Sequence, residues 1–368
     1  VQLLKHGTTT VMDVGTFSPD IDEMVDIIGK SGIRAYLGLD YSSARYFYDD
    51  DYILRYQWDE ELGKQGLKDA LSFIERYDGA YHGRIKGYLS PSSDSTASPS
   101  LLARTSEIAK KEDLRIQMHT CQTLFEFQEL LRRHHKTPIE MLYDINFLSP
   151  QSILGHCVFV SGHSMTAYRN GVDLDLIADS GASVAHSPLV FSRRGIALES
   201  FYKYRKKGIN VGIGTDTYLK DIITEMRHVS WTCKIVEGDF SVARSEDVFD
   251  AATLGSAKAL GRDDIGCLAK GKKADIVIFD LNKLHIGPYR DPIKALVNSA
   301  NGNDVDTVIV DGVTRVKKGI VLGVDEADLL GRAQRFAEAI WATVQDRDGR
   351  GRTADEISPL SFTSKIVF

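Results

Sequence analysis

Two rhythms of apolar residues alternate along this chain. Short, mostly apolar runs read as buried strands: TTTVMDVG at 8–15, IRAYLGLD at 33–40, RIKGYL at 84–89, RIQMH at 115–119, SILGH at 152–156, SVAH at 183–186 and NVGIGTD at 210–216. Between them, apolar residues recur every three or four positions. Ile21, Met24, Val25 and Ile28 predict a helix over 20–31, and Leu62, Leu67, Leu71 and Ile74 predict one over 60–77. Further helices are expected over 100–112 and through most of 124–147. Strand and helix in alternation imply an α/β fold, a parallel sheet covered by helices.

Seven strands precede a change of pattern near residue 262, whereas a closed (β/α)8 TIM barrel needs eight. The opening residues QLLKHG read as the last turn of a helix with a glycine stop. The expectation is a distorted TIM barrel over 1–262 whose first βα unit is absent from this chain. Beyond it come short strands and turns, with a hairpin expected around Asp311-Gly312. Residues 263–323 are read as a small β-sandwich segment, and 324–368 as a C-terminal helix and a polar tail, extended or partly disordered.

Composition narrows the function classes. The chain has 368 residues, 43% of them hydrophobic and 26% charged, with 51 acidic against 45 basic side chains and a net charge of −6. That balance argues against nucleic acid as a partner. Cys121, Cys157, Cys233 and Cys267 show neither CxxC spacing nor the density of a disulfide scaffold, which suits free thiols in a reducing compartment. No apolar run reaches the ~18 residues of a membrane span, and no signal-peptide pattern opens the sequence. The expected location is the cytoplasm, with no membrane partner.

The chemistry lies where the strands stop. His119, His156, His186 and Asp216 each follow an apolar run at its C-terminal end. Imidazole and carboxylate donors suit Zn2+ and Fe2+, and catalytic residues of parallel barrels sit at the C-terminal ends of strands. An isolated histidine is more often a satisfied core residue; the ordered set is what carries weight.

With these residues in place, the chain resembles the amidohydrolase superfamily, in particular its branch of cytosine and guanine deaminases and triazine hydrolases (chlorohydrolase-like). The resemblance rests on KHGTTTVMDVG at 5–15, GHC at 155–157, VAHSP at 184–188, GIGTD at 212–216, GKKADIVIFD at 271–280 and VDTVIVDGV at 305–313, in that order. It implies a metal-dependent hydrolase in which hydroxide on one metal ion per subunit, Zn2+ or alternatively Fe2+, attacks an sp2 carbon and breaks a C–N or C–Cl bond of a nitrogen heterocycle. His119 and Asp216 would ligate the metal. Asp216 would also take the proton of the attacking water, and His156 would hydrogen-bond that water or the substrate. His186 would shape the pocket. Thr217 and Arg193 are placed to line it, Arg193 and Arg194 being suited to an anionic or carbonyl-rich substrate. A homodimer or higher homo-oligomer is implied as well.

Two departures from the family pattern matter. No His-x-His pair, the family's first-strand ligands, occurs in the chain, and His119 with Asp216 alone would hold a metal weakly. The branch also usually has a glutamate three residues after the strand-five histidine, where this chain has Gln122. An amide donates and accepts hydrogen bonds but does not titrate near neutrality, so Gln122 is expected to orient substrate. Hydrolysis of a cyclic amide or an N-alkylamine on the same site, or a metal-free, non-catalytic barrel subunit, remain alternatives.

Overall fold

The computed structural model describes residues 1–15, 20–49, 53–168, 171–198 and 200–362. They form two compact units, Val1–Ile320 and Val321–Phe368. In the larger unit the chain passes through β1 (Thr10–Met12), β2 (Arg34–Leu37), β3 (Asp40–Tyr41), β4 (Ala44–Tyr48), β5 (Leu54–Trp58), β6 (Ile85–Gly87), β7 (Ser90–Pro91), β8 (Ile116–Thr120), β9 (Ser152–His156), β10 (Ser183–His186) and β11 (Asn210–Ile213). All seven strands read from the sequence are present.

Parallel pairing organises them into two sheets, β1–β2–β6 and β8–β9–β10–β11. The short β3 and β7 continue β2 and β6 and pair with each other in parallel. Parallel bridges at Leu89↔Ile116 and Ser93↔His119 join the two sheets. Among the described residues these pairings make a helix-covered parallel α/β arrangement, and no pairing closes them into a ring.

Burial explains the apolar runs. Met118, Leu154, Val184 and Val211 stand in register across the four strands of the second sheet, each at most 1% exposed. Burying a side chain of this size contributes roughly 1.5–3 kcal/mol. The next level toward the C-terminal ends is His119, Gly155, Ala185 and Gly212. Three small residues therefore lie level with His119, and a side chain on Gly155 would meet the Met118 carbonyl at 3.0 Å.

The covering helices begin where the sequence supplies caps. Asp59 accepts a hydrogen bond from the Leu62 N–H to start Glu60–Tyr77, and Ser98 accepts from Leu101 N–H ahead of Pro99–Glu112. The stretch 124–147 holds two helices, Leu124–His134 and Pro138–Asp144, the second opened by a Thr137/Glu140 capping box. Not foreseen was the antiparallel hairpin of β4 and β5, which pairs Ala44 with Trp58 and Tyr48 with Leu54. Its Tyr56 and Trp58 rings lie 4.0 and 5.0 Å from the Arg133 guanidinium.

The larger unit also holds antiparallel strands β12 (Ile276–Phe279), β13 (Val305–Val310) and β14 (Val313–Lys317), neighbours in a four-stranded sheet. Its hairpin turns at Asp311 and Gly312, both with positive φ (52° and 79°), as an Asp-Gly turn requires. Arg34 of β2 ties this sheet to the parallel one. Only 1% exposed, its guanidinium donates to both carboxylate oxygens of Asp275, at 3.1 and 3.0 Å. The smaller unit contains the helix Glu326–Ala342, capped by Asp325 and with no buried residue. Its tail is not extended throughout, since Val344–Arg347 and Ala354–Ile357 are helical. Among the described residues no helix is long and apolar enough to cross a membrane.

Candidate active site

The strand-end residues meet above β8 to β11, and their turns are tight. His156 and Cys157 both take left-handed backbone (φ 79° and 53°), as do Cys121 (51°) and Asp216 (52°). Such conformations cost a non-glycine residue about 1–2 kcal/mol each. Hydrogen bonds hold the turns: Cys157 N–H donates to Thr120 O at 3.0 Å, Val158 N–H to Cys121 O at 3.0 Å, and Gly214 N–H to His186 O at 2.9 Å. The segments that follow these turns share a buried cluster of Phe127, Val158, Phe159, Val190 and Phe191. The Phe191 ring meets the His156 imidazole edge-on at 4.7 Å.

His119 Nδ1 lies 3.0 Å from the Ser92 carbonyl oxygen, which fixes it as the N–H donor and leaves Nε2 with its lone pair. A metal-ligating histidine is held in this way. The His119 and His156 rings are 5.5 Å apart. His156 Nε2 stands 3.4 Å from Asp216 Oδ2, and neither of its buried ring nitrogens makes a hydrogen bond. Burial, with the neighbouring His119 adding to it against the pull of Asp216, lowers the His156 pKa to about 4. His186 is buried too, its Nδ1 unpartnered and its pKa lowered to about 3 by desolvation and then by His156. Both imidazoles are neutral at pH 7.

Asp216 is held by its own turn. The Thr217 N–H donates to its Oδ1, and the Lys220 ammonium donates to its backbone carbonyl. Thr217 is otherwise exposed. Gln122 is half-buried, and its backbone N–H donates to Glu126 Oε2 at 2.8 Å. Arg193 is exposed, with its guanidinium 3.7 Å from the centre of the Tyr218 ring. His119, His156 and Asp216 are thus close together, with His186 behind His156, while Thr217 and Arg193 lie on the loops that follow β11 and β10.

Sequence reasoning passed over several acids. Asp40 closes the apolar run 33–40 as His119 closes its own, so the same run-end signal marked it; desolvation raises its pKa to about 6 despite a hydrogen bond from Ser92 and the nearby His119. Asp94 is buried against Thr120 and Glu126, and desolvation and then Glu126 raise its pKa well above the ordinary carboxylate value. Glu225 is fully buried on the helix after Asp216, accepts from Leu189 N–H at 3.1 Å and has an unpartnered Oε1. Desolvation raises its pKa to about 8. Nothing in the local sequence distinguishes Asp94 or Glu225 from polar residues of a loop or helix.

The donor types fit a divalent cation, while their number falls short. His119 Nε2 and the Asp216 carboxylate are available, yet no group of three or more His, Cys, Asp or Glu side chains among the described residues is arranged to hold a metal.

The model of the amidohydrolase family matches residues 1–315. The chain is 30% identical to a 5'-deoxyadenosine deaminase of Methanosarcina mazei over 348 residues, 94% of this chain and 74% of that protein. It is also 30% identical to a 5-methylthioadenosine/S-adenosylhomocysteine deaminase of Thermococcus onnurineus, over 85% of this chain and 68% of that protein. Among solved structures, a zinc-bound adenosine deaminase from Xanthomonas campestris superimposes with a TM-score of 0.76 at 21% identity, covering 92% of this chain and 72% of that one. Atrazine chlorohydrolase from Arthrobacter aurescens, complexed with zinc, gives 0.76 at 21% identity over 90% and 73%. These likenesses show a TIM-barrel-like α/β fold, and the family match runs through the parallel sheets and into the antiparallel one. The chain belongs to the amidohydrolase family.

Proposed function

We propose that this chain is an amidohydrolase-type hydrolase acting on a C–N or C–Cl bond of a small nitrogen heterocycle, with deamination as the leading reaction. The observation that carries the reading is the trio at the strand ends: His119 with Nδ1 tied to Ser92 and Nε2 free, and His156 set 3.4 Å from the Asp216 carboxylate. The named activities of the relatives, deamination of 5'-deoxyadenosine above all, support an aminopurine-like ring as substrate. The parallel strands are read as strands two to eight of the barrel, and the antiparallel sheet as part of a small β-sandwich.

His119 and Asp216 would hold one divalent ion, Zn2+ in the first place and Fe2+ as the alternative, since imidazole suits both. When bound, such an ion supplies the Lewis acidity that brings the pKa of water toward 7. Two donors hold it weakly. The roles of the chain follow from geometry. The Asp216 carboxylate accepts the proton of the attacking water. His156, neutral because of its burial, offers one N–H and one lone pair to that water or to the leaving group. His186 walls the pocket without charge, and Thr217 lines its rim. Gln122 orients the ring by hydrogen bonds and carries no proton. That last point favours a second reading, hydrolysis of a cyclic amide or an alkylamino group, where the proton demand on position 122 differs. We also place the protein in the cytoplasm as a homodimer or higher homo-oligomer, without nucleic-acid or membrane partners; the free thiols and acidic balance agree with this.

The test is a panel of amino-, alkylamino- and chloro-substituted heterocycles and cyclic amides, assayed for ammonia, alkylamine, chloride and ring opening, alongside metal analysis. Ammonia release that Zn2+ stimulates, and that Asp216→Asn abolishes, is expected. Bound metal below about a tenth of an equivalent at saturating Zn2+, with no turnover, would leave a non-catalytic barrel.

A further inference from the structure

Two guanidinium groups at the mouth have no role in the chemistry above. Arg193 and Arg194 occupy the turn after the helix Pro188–Ser192, which follows β10. Arg193 N–H donates to Leu189 O at 3.2 Å, Arg194 N–H to Phe191 O at 2.8 Å, and Gly195 N–H to Ser192 O at 3.0 Å. Gly195 closes the turn at φ 68°. The same short segment carries Phe191, whose ring rests on His156, so the turn is anchored to the site. The charge of Arg194 reaches His156 and adds to what keeps that imidazole neutral.

Arg193 lies flat on Tyr218, 3.7 Å from the ring centre, and Tyr218 is two residues past Asp216. Stacking fixes the plane of the guanidinium and leaves its edge of N–H donors uncovered. Neither Arg193 nor Arg194 has a carboxylate partner among the described residues, whereas Arg104, Arg132 and Arg244 on the outer surface each hold one. Two adjacent cations, unneutralised in a protein of net charge −6, create a local positive field at the entrance. A planar fork with its edge free matches a carboxylate or phosphate in bidentate fashion.

We propose that Arg193 and Arg194 form an anion-receiving rim, and that the substrate carries a carboxylate or phosphate remote from the ring that reacts. This rests on the heterocycle hydrolase reading and adds to it the charge class of the substrate. The anion would sit against the Arg193 edge while the ring enters toward His156 and Asp216.

Titration calorimetry with adenosine, its 5′-phosphate and its 5′-carboxylate tests the rim on the Zn2+-loaded chain at low salt. One of the two anionic forms is expected to bind at least ten-fold tighter than adenosine, and which one does so separates phosphate from carboxylate. Arg193→Gln/Arg194→Gln is expected to erase that preference, and 0.5 M salt to shrink it; Arg132→Gln, on the outer surface, should not alter it. An equal or stronger preference for adenosine, or a preference that survives the double variant, overturns the rim. A second measurement is independent of the heterocycle. Inorganic phosphate and acetate should slow modification of Arg193 and Arg194 by p-hydroxyphenylglyoxal, mapped by peptide mass, several-fold more than modification of Arg132. No protection overturns the rim. Protection with neither adenosine nor its two anionic forms bound upholds the rim and counts against the aminopurine-like ring.

Discussion

Lowering the pH from 7 to 5 should withdraw the stability that two buried, neutral imidazoles contribute at neutrality. His156 and His186 are buried as neutral rings, with pKa values lowered to about 4 and about 3, against about 6.5 in an unfolded chain. Because the folded values are the depressed ones, the unfolded state takes up protons first, and stability falls as pH drops through 6.5 toward 4. Between pH 7 and pH 5 each ring gains nothing folded but is almost fully protonated unfolded, which costs about 2 kcal/mol per ring and about 4 kcal/mol for the pair. The result at pH 5 hardly depends on the folded value once that value lies at or below about 4. His186→Leu isolates one ring. Its Nδ1 has no hydrogen-bond partner, so leucine removes the proton site without orphaning a neighbour of that nitrogen. Urea unfolding of chelator-treated protein at pH 7 and 5, followed by tryptophan fluorescence, reads the difference. The pH-dependent loss should shrink by about 2 kcal/mol in the variant. If His186→Leu shows the same loss as the parent protein, within about 0.5 kcal/mol, burial of a neutral His186 is not the cause.

Three further outcomes are expected. Glu225 has the opposite sign: its raised value of about 8 means stability is full below about 4.5 and is lost as pH climbs through 8, so Glu225→Gln should remove about 3 kcal/mol of alkaline loss between pH 5 and 8, measured in the same way. Arg34→Met strands the buried Asp275 carboxylate and should cost about 3–5 kcal/mol, with Arg34→Met/Asp275→Asn less destabilised than the sum of the single variants; strict additivity would show that the pair is not coupled. Gln122→Glu restores a titratable group three residues from His119 and should raise ammonia release from an aminoheterocycle by on the order of 10²-fold, while unchanged or lower activity would deny that position a part in proton transfer.

The strand ends were legible because a parallel sheet covered on both faces leaves no alternation: SILGH is buried from end to end, and its first functional polar group marks where the sheet stops. The same signal marked Asp40, though an aspartate closing an apolar run is more often a turn former than a site residue. The hairpin of β4 and β5 was hidden by composition. Tyr46, Phe47, Tyr48 and Trp58 are all exposed, so their positions carry no in–out rhythm to read. Glu126 and Glu225 fall on helical faces where a carboxylate ordinarily meets water, and only packing against neighbouring elements buries them. The Arg34–Asp275 pair joins residues 241 positions apart, beyond any local pattern. His119, His156 and Asp216 were named from the sequence; their spacing in space, and the Ser92 carbonyl that selects the His119 tautomer, belong to the tertiary structure.

The left-handed turns at Cys121, His156, Cys157 and Asp216 bear on how this mouth can diversify. At each strand end the residues that aim the imidazole or carboxylate also reverse the chain or lie next to those that do. One residue inserted between Met118 and His119 would shift the pleat by one and turn His119 to the other face of the sheet. A change of length at these positions therefore displaces the site as a whole, whereas a substitution alters one group of it. Insertions and deletions should therefore be tolerated only beyond Gln122, Val158 and Tyr218, where the loops have left the ladder. New substrate ranges in relatives of this chain would then come from loops of different length carried on strands of fixed length.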